Sequence, residues 1–203
     1  MKTLNLFLLF FFLFSINSYS LPKCEGGNPK KWNNCEVSVR WKEGPNKGDT
    51  YVGEVKAGKF HGHGIYTWAN GDKYVGEFKS GLKDGHGHFS YPWGNGQGNY
   101  WGGWKKDKRH GWGNEEYPDG SHFQGNHRNG LRNGKGSYFH ASKDLYTGEY
   151  KDGYMHGKGT YIFANGDKYV GHWKKNKYDG EGILYQMDGP ELKGKFKNGV
   201  FIE

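Results

Sequence analysis

Two pairs of histidines have the spacing that comes nearest to a metal site in this chain. His61 and His63 lie two residues apart, as do His86 and His88, and residues at that spacing share one face of a strand. Two imidazoles on one face would supply half of a tetrahedral zinc site. Other residue types replace the histidine at the matching positions further along, namely Trp112, Lys135, Lys158 and Glu181. The sequence therefore predicts polar surface histidines, with no metal and no cofactor.

Residues that could catalyse a reaction are scattered along the chain. A hydrolase needs two carboxylates, or a nucleophile with its base and acid, at one site. Asp72, Asp119 and Asp167 each adjoin a glycine, which is typical of turns. The sequence predicts no enzyme activity and no small-molecule substrate. A small enzyme or inhibitor built on residues 91–99 is an alternative, and a lengthened hairpin turn also explains that segment.

A basic residue recurs at one position of an internal repeat, in seven copies of seven. These residues are Lys56, Lys79, Lys105, Arg128, Lys151, Lys174 and Lys197. If each copy contributes two strands, successive members of this basic row stand roughly 9 to 10 Å apart. The row suits phospholipid headgroups, lipopolysaccharide, an acidic polymer or a protein partner, because each cation near an acidic surface contributes about 1 kcal/mol. Solvated lysines that protect strand edges explain the same pattern.

The elements that would position the basic row are short strands. Each copy starts with an aromatic residue followed two positions later by glycine, and six full copies occupy 51–73, 74–99, 100–122, 123–145, 146–168 and 169–191. In the copy that begins at Tyr146, residues 151–153 form a turn between two alternating runs. Asn165-Gly166 then closes the copy with a dipeptide typical of hairpins. Each copy is predicted to be one β-hairpin, and residues 92–98 enlarge one loop.

Glycines recur at the third, twelfth and fourteenth positions of every full copy, as at Gly53, Gly62 and Gly64. Glycine weakens a strand unless packing requires it. We expect the aromatic rings to lie flat over these glycines, which would let a thin sheet bury large rings. Glu115, Asp107 and His127 interrupt the pattern, which predicts a softer region over residues 107–143.

The pattern Tyr-x-Gly-Glu-(Trp/Phe/Tyr)-x-x-Gly-x-x-x-Gly-x-Gly resembles the MORN (membrane occupation and recognition nexus) repeat. Residues 74–87 match it closely, and the likeness covers residues 51–201. The resemblance implies an all-β protein, with tandem antiparallel hairpins in one elongated, twisted and curved meander sheet. It also implies a non-catalytic scaffold, since such repeats bind partners or organise membranes while any catalysis resides in another domain.

The two ends of the chain differ from the repeats. Residues 1–20 combine a positive start, an apolar run and a small-x-small site, which predicts a cleaved export signal. An uncleaved anchor is the alternative. Residues 21–50 are predicted to form a cap with a half repeat and a Cys24–Cys35 disulfide, because an exported chain with two cysteines favours pairing over free thiols. Residues 192–203 are predicted to cap the other end.

Composition limits the classes of function. Hydrophobic residues make up 33% of the 203 residues, and Phe, Trp and Tyr make up 18%, so the core must be aromatic. The net charge of +8 permits nucleic-acid binding, but the export signal predicts a secreted, periplasmic or extracellular protein, or one held peripherally at a membrane, and hence no nucleic-acid partner. Open sheet ends favour a homodimer. An alternative function is carbohydrate binding on exposed rings of Trp68, Trp93, Trp101, Trp104, Trp112 and Trp173.

Overall fold

The computed structural model describes residues 21–203 apart from Asn95, so the predicted export signal lies outside the described residues. All strands belong to one open antiparallel sheet, in which each strand pairs with its neighbours in sequence. The strands are β1 (Cys35–Arg40), β2 (Thr50–Lys56), β3 (Lys59–Thr67), β4 (Lys73–Lys79), β5 (Leu82–Trp93), β6 (Gly96–Lys105), β7 (Lys108–Glu116), β8 (His122–Arg128), β9 (Leu131–Phe139), β10 (Leu145–Lys151), β11 (Tyr154–Ile162), β12 (Lys168–Lys174), β13 (Lys177–Tyr185), β14 (Leu192–Lys197) and β15 (Val200–Phe201). The predicted all-β hairpin array is confirmed.

Within the described residues, the only other regular element is a short 3-10 helix, Pro29–Lys31. No helix in that part of the chain is long and apolar enough to cross a membrane. Near the 3-10 helix, Cys24 and Cys35 lie at disulfide distance, with Cα atoms 5.0 Å apart. This pair holds the start of the described chain against β1, the first strand of the sheet.

Two kinds of connection alternate along the sheet and define its two edges. Inside each hairpin, two residues with positive φ join the strands, as at Asp152 (φ 51°) and Gly153 (φ 88°), which is the geometry of a type I′ turn. These turns form the tight-turn edge. They comprise residues 57–58, 80–81, 106–107, 129–130, 152–153, 175–176 and 198–199. The connections between successive hairpins form the opposite, loop edge, and all but the one between β5 and β6 are longer than two residues. There the Asp144 carboxylate accepts the Ala164 N–H at 2.7 Å.

A β-bulge interrupts each full hairpin at the same place. In the hairpin of β10 and β11, Gly148 pairs with Gly159 but Glu149 pairs with His156, so two residues of β11 are left over. Gly157 has φ 59° there, and a Cβ on it would collide with the Glu149 carboxylate. The Glu149 carboxylate instead accepts the N–H of Lys158 at 3.2 Å. The twelfth-position glycine is therefore required by the bulge, and the expectation that it answers ring packing was wrong.

Ring packing over glycine occurs at the third and fourteenth positions. The Tyr146 ring lies across Gly148 and Gly159, where an added Cβ would come within 2.7 Å of ring atoms. The Tyr146 hydroxyl donates to the carbonyl of Glu149 at 2.9 Å, and Tyr150 packs edge-on at 5.2 Å. The first-position residues are all fully buried, namely Tyr51, Tyr74, Tyr100, Phe123, Tyr146 and Tyr169. One sheet therefore buries its rings on an aromatic face without a second layer.

The insertion between the second and third copies extends a hairpin. Residues 92–98 were expected to enlarge a loop, but β5 and β6 stay paired as far as Trp93 and Gly96. The Tyr91 ring lies over Gly98, in the same arrangement as the rings over glycine elsewhere in the sheet. Extra residues therefore lengthen the two strands and leave the register of the array unchanged.

Candidate binding surfaces

The basic row lies along the tight-turn edge. Each of its members is the last residue of the first strand of a hairpin, and every one is exposed. Two strand spacings separate neighbouring members, so the row extends roughly 58 Å from β2 to β14. In the six full hairpins the bulge comes before the strand end, so six of the seven side chains share the same place relative to it.

Other charges at the tight-turn edge strengthen its positive character. Five more lysines lie in these turns or at the first residue of the returning strand, namely Lys59, Lys106, Lys108, Lys175 and Lys177. Four carboxylates accompany them, namely Asp84, Asp107, Asp152 and Asp179. Among the described residues, Lys197 is the one member of the row in an ion pair, 3.2 Å from Asp179. Asp107 accepts the backbone N–H of Lys83 at 2.8 Å. This carboxylate therefore also stabilises the turns.

The aromatic face contains three cations that the sequence analysis missed. Lys83 places its Nζ 4.4 Å from the ring centre of Trp104, and Arg132 places its Cζ 4.3 Å from that of Phe123. Arg109 lies 4.8 Å from the Tyr100 ring in the same way. Burial lowers the pKa of Lys83. The repeat pattern contained a signal for these three cations, because they occupy the position that holds an aromatic residue, Phe60 or Tyr178, in other copies.

Glu115 is the centre of a buried ionic cluster on the aromatic face. It is only 3% exposed, and its carboxylate accepts hydrogen bonds from Arg109, from Arg132 at 2.7 and 3.0 Å, and from Tyr117 at 2.7 Å. His127 Nε2 lies 3.2 Å away. Burial alone would raise the pKa of Glu115, but the His127 hydrogen bond and the two guanidinium charges hold it well below its usual range. Glu115 and His127, which both interrupt the repeat pattern, therefore contact each other in one cluster.

The histidine pairs do not assemble a metal site in the described part of the chain, where no group of three potential ligands occurs. His63 Nδ1 lies 3.7 Å from Glu54, and His86 Nδ1 lies 3.6 Å from Glu77. Each glutamate already accepts the backbone N–H of its histidine, at 2.8 and 2.7 Å. These contacts secure the bulges.

The face opposite the aromatic face, here called the polar face, carries one continuous cross-strand ladder. Its members in strand order are Val52, Ile65, Val75, His88, Trp101, Asn114, Gln124, Ser137, Thr147, Thr160, Val170, Ile183 and Lys193. Five of the six tryptophans named for sugar stacking divide between the faces, and the side chain of Trp93 lies outside the described part of the structure. Trp104 (7% exposed) and Trp173 (4%) are buried, and Trp68 packs against the aromatic core. Trp101 (37%) and Trp112 (60%) are exposed on the polar face.

Comparison with family models supports the repeat assignment. The MORN repeat model matches residues 51–73, 74–96, 100–122, 123–144, 146–168 and 169–190. The chain belongs to the MORN repeat family. All six matched segments of this MORN protein begin at the residues predicted from the sequence, and three of them end one to three residues earlier.

Among solved structures, this MORN protein is similar to the TCP domain of SAS-4 (dCPAP) of Drosophila melanogaster, determined in complex with a proline-rich motif of Ana2 (dSTIL). The identity is 15% and the TM-score 0.43, over 79% of this chain and 90% of that chain. No curated protein matches the sequence.

Proposed function

We propose that this MORN protein is a non-catalytic repeat scaffold that binds an anionic lipid surface through its tight-turn edge. The observation that carries the proposal is the basic row, with seven exposed cations at equivalent strand ends of one sheet. Family membership supports a scaffold for binding in general. A row of this length can contact many headgroups at once, which a single lysine cannot do.

The spacing of the row favours additive binding. Neighbouring members stand roughly 9 to 10 Å apart, slightly more than the Debye length of about 8 Å at physiological ionic strength. Neighbouring cations therefore repel one another weakly in the free protein. Because each contributes about 1 kcal/mol near an acidic leaflet, seven together are enough for firm but salt-sensitive association.

Export is the second part of the proposal. We infer that residues 1–20 direct the chain to a secreted, periplasmic or extracellular location, where the lipid or lipopolysaccharide surface would be reached from outside. The sequence of residues 1–20 supports this, as does the cysteine pair at disulfide distance. Mass spectrometry of the protein from its native source tests it. An amino terminus at Leu21 with no alkylatable thiol is expected, and a chain that retains Met1 and two free thiols would refute export.

Vesicle co-sedimentation tests the basic row. Purified protein is mixed with phosphatidylcholine vesicles, with or without phosphatidylserine, at salt concentrations between about 50 and 500 mM. Binding is expected only to the anionic vesicles and should weaken steadily with salt. Changing Lys151, Lys174 and Lys197 together to glutamate should abolish it, because three cations become three anions.

A matched variant separates the row from net charge. Lys42, Lys73 and Lys143 are exposed and belong to the loop edge or to a strand end beside it, so changing them to glutamate alters the total charge equally. This variant should keep most of the binding. Equal loss in both triple variants would reject the row, and binding to heparin without binding to anionic vesicles would reject a lipid surface in favour of an acidic polymer.

A further inference from the structure

We propose that the polar face around Trp112 is a binding site for a neutral oligosaccharide. Trp112 is 60% exposed and lines two grooves at once, one of about 610 Å³ and one of about 550 Å³. A large indole exposed beside two grooves is a platform on which the apolar face of a sugar ring can stack. The site is separate from the basic row, and neither proposal depends on the other.

The position that Trp112 occupies in the repeat faces solvent in other copies too. The equivalent side chains of His63 and His86 are 82% and 89% exposed, although Glu54 and Glu77 lie beside them. The third copy has Gly103 in place of that glutamate. It is also the one full copy with a large ring at this exposed position, so the indole is open to a ligand.

The larger groove provides hydrogen-bonding groups without a dominant charge. Its floor follows the ladder through Gln124, Ser137 and Thr147, and the hydroxyls of Ser137 and Thr147 lie 3.0 Å apart. Lys135, Lys158 and Glu149 border it. Amide and hydroxyl groups can both donate and accept, which matches the hydroxyl groups of sugars. From Asn114 to Thr160 the ladder consists of uncharged polar residues and crosses five strands, roughly 19 Å, which is room for several sugar rings.

The smaller groove, on the other side of Trp112, contains a second aromatic surface and an unused polar atom. Trp101 stacks on His88 with ring centres 4.5 Å apart and planes at 3°, so its indole is held in a fixed orientation. His110 lines this groove, and its buried Nδ1 has no hydrogen-bond partner among the described residues. Buried polar atoms normally have partners, so this nitrogen is an unexplained polar group beside the groove.

Isothermal titration of the purified protein with cellohexaose, N-acetylchitohexaose and mannohexaose tests the proposal. At least one of these neutral hexasaccharides is expected to bind with an affinity that does not change with salt. Trp112→Ala should weaken that binding at least tenfold. The double variant Gln124→Ala/Ser137→Ala should weaken it about threefold, because it removes hydrogen bonds and leaves the indole in place.

Tyr154→Ala is the matched control, since Tyr154 is an exposed ring at the tight-turn edge, and it should bind as the unchanged protein does. Circular dichroism confirms that each variant is folded. Failure of all three hexasaccharides to bind would overturn the proposal, as would equal binding by the folded Trp112→Ala variant. Vesicle binding is unaffected by either result, so the two proposals succeed or fail separately.

Discussion

At the scale of single residues, several departures from the repeat depend on one another. Glu115 stands where other copies have a ring, such as Tyr138 or Tyr161. A lone carboxylate buried there would be strongly destabilising. Arg109 and Arg132 are also departures, and their guanidinium groups lie on either side of it. Ring packing is thus replaced locally by an ionic cluster in which the carboxylate is paired with two guanidinium groups.

We predict that Glu115→Gln lowers the free energy of unfolding by about 3 kcal/mol near pH 7, because two partly buried guanidinium groups lose their carboxylate. Urea denaturation measures this. Glu116→Gln, at the exposed neighbouring position, should change stability by less than about 0.5 kcal/mol. A loss of equal size in both variants would show that the cluster is not the cause.

The stabilities of the unchanged protein and of Glu115→Gln should depend differently on pH. The pKa of Glu115 is held low in the folded protein, whereas in an unfolded chain a glutamate titrates near pH 4.3. Its contribution is therefore complete above that pH and is lost as the pH falls below it. The stability gap between the unchanged protein and Glu115→Gln should stay constant from about pH 7 to about pH 5 and narrow as the pH falls further towards about pH 3. A gap that widened on acidification would contradict this assignment.

At the scale of elements, a single hairpin shows most of the features that determine the fold. The type I′ turn sets the register of strand pairing at one end of the hairpin. The bulge then shifts that register further along the two strands. The ring of the first residue then lies over two glycines. Because every full hairpin has this bulge, side chains at equivalent positions form straight rows across the sheet, including the basic row.

We predict that Gly159→Ala destabilises the protein by roughly 1 to 3 kcal/mol, the usual cost of overpacking. The new methyl group would collide with the Tyr146 ring, which is fully buried and cannot move aside. Thermal unfolding followed by circular dichroism measures the effect. Gly27→Ala is the control, since nothing lies within 4 Å of its added Cβ, and it should leave the melting temperature nearly unchanged. Similar melting temperatures for both variants would reject close ring packing.

At the scale of the whole molecule, the array is held together by contacts between adjacent hairpins. Buried residues form two aromatic clusters, one reaching from Val37 to Trp104 and the other from Phe123 to Phe196. The Glu115 cluster lies where the two meet, since His127 packs edge-on against both Tyr100 and Phe123 at 5.3 Å. Each end strand leaves an outer edge, so homodimerisation stays a prediction.

Tyrosine ionisation gives a prediction for the whole array. Burial raises the pKa of Tyr100 and of Tyr169 to about 12, while tyrosines of an unfolded chain titrate near pH 10. The stability from these residues is therefore present below about pH 10 and lost as the pH rises towards 12. Absorbance at alkaline pH should show core tyrosines ionising together with the loss of circular dichroism.

Tyr169→Phe cannot ionise and should move that alkaline transition upwards, whereas Tyr154→Phe, at an exposed position, should leave it in place. Gradual ionisation of all tyrosines with an unchanged circular dichroism spectrum would contradict a shared aromatic core.

The sequence by itself determined the repeat, the hairpins and the positions of the basic row, because these depend on local turn chemistry and on strict spacing. The packing of the Tyr146 ring over Gly148 and Gly159 could be predicted from the local sequence. Side chains alternate between the two faces of a strand, and glycine lets a ring approach the backbone closely. The bulge at Gly157 was misassigned, because a positive φ is a property of backbone geometry that alternation does not reveal.

Only the tertiary structure showed which residues that depart from the repeat pattern contact one another. Glu115 meets Arg132 because β7, β8 and β9 are adjacent, and the charges compensate only at that distance. In the same way, the tertiary structure determined which tryptophans are exposed. Trp104 and Trp112 look alike in sequence, but Trp104 is buried on the aromatic face while Trp112 is exposed on the polar face.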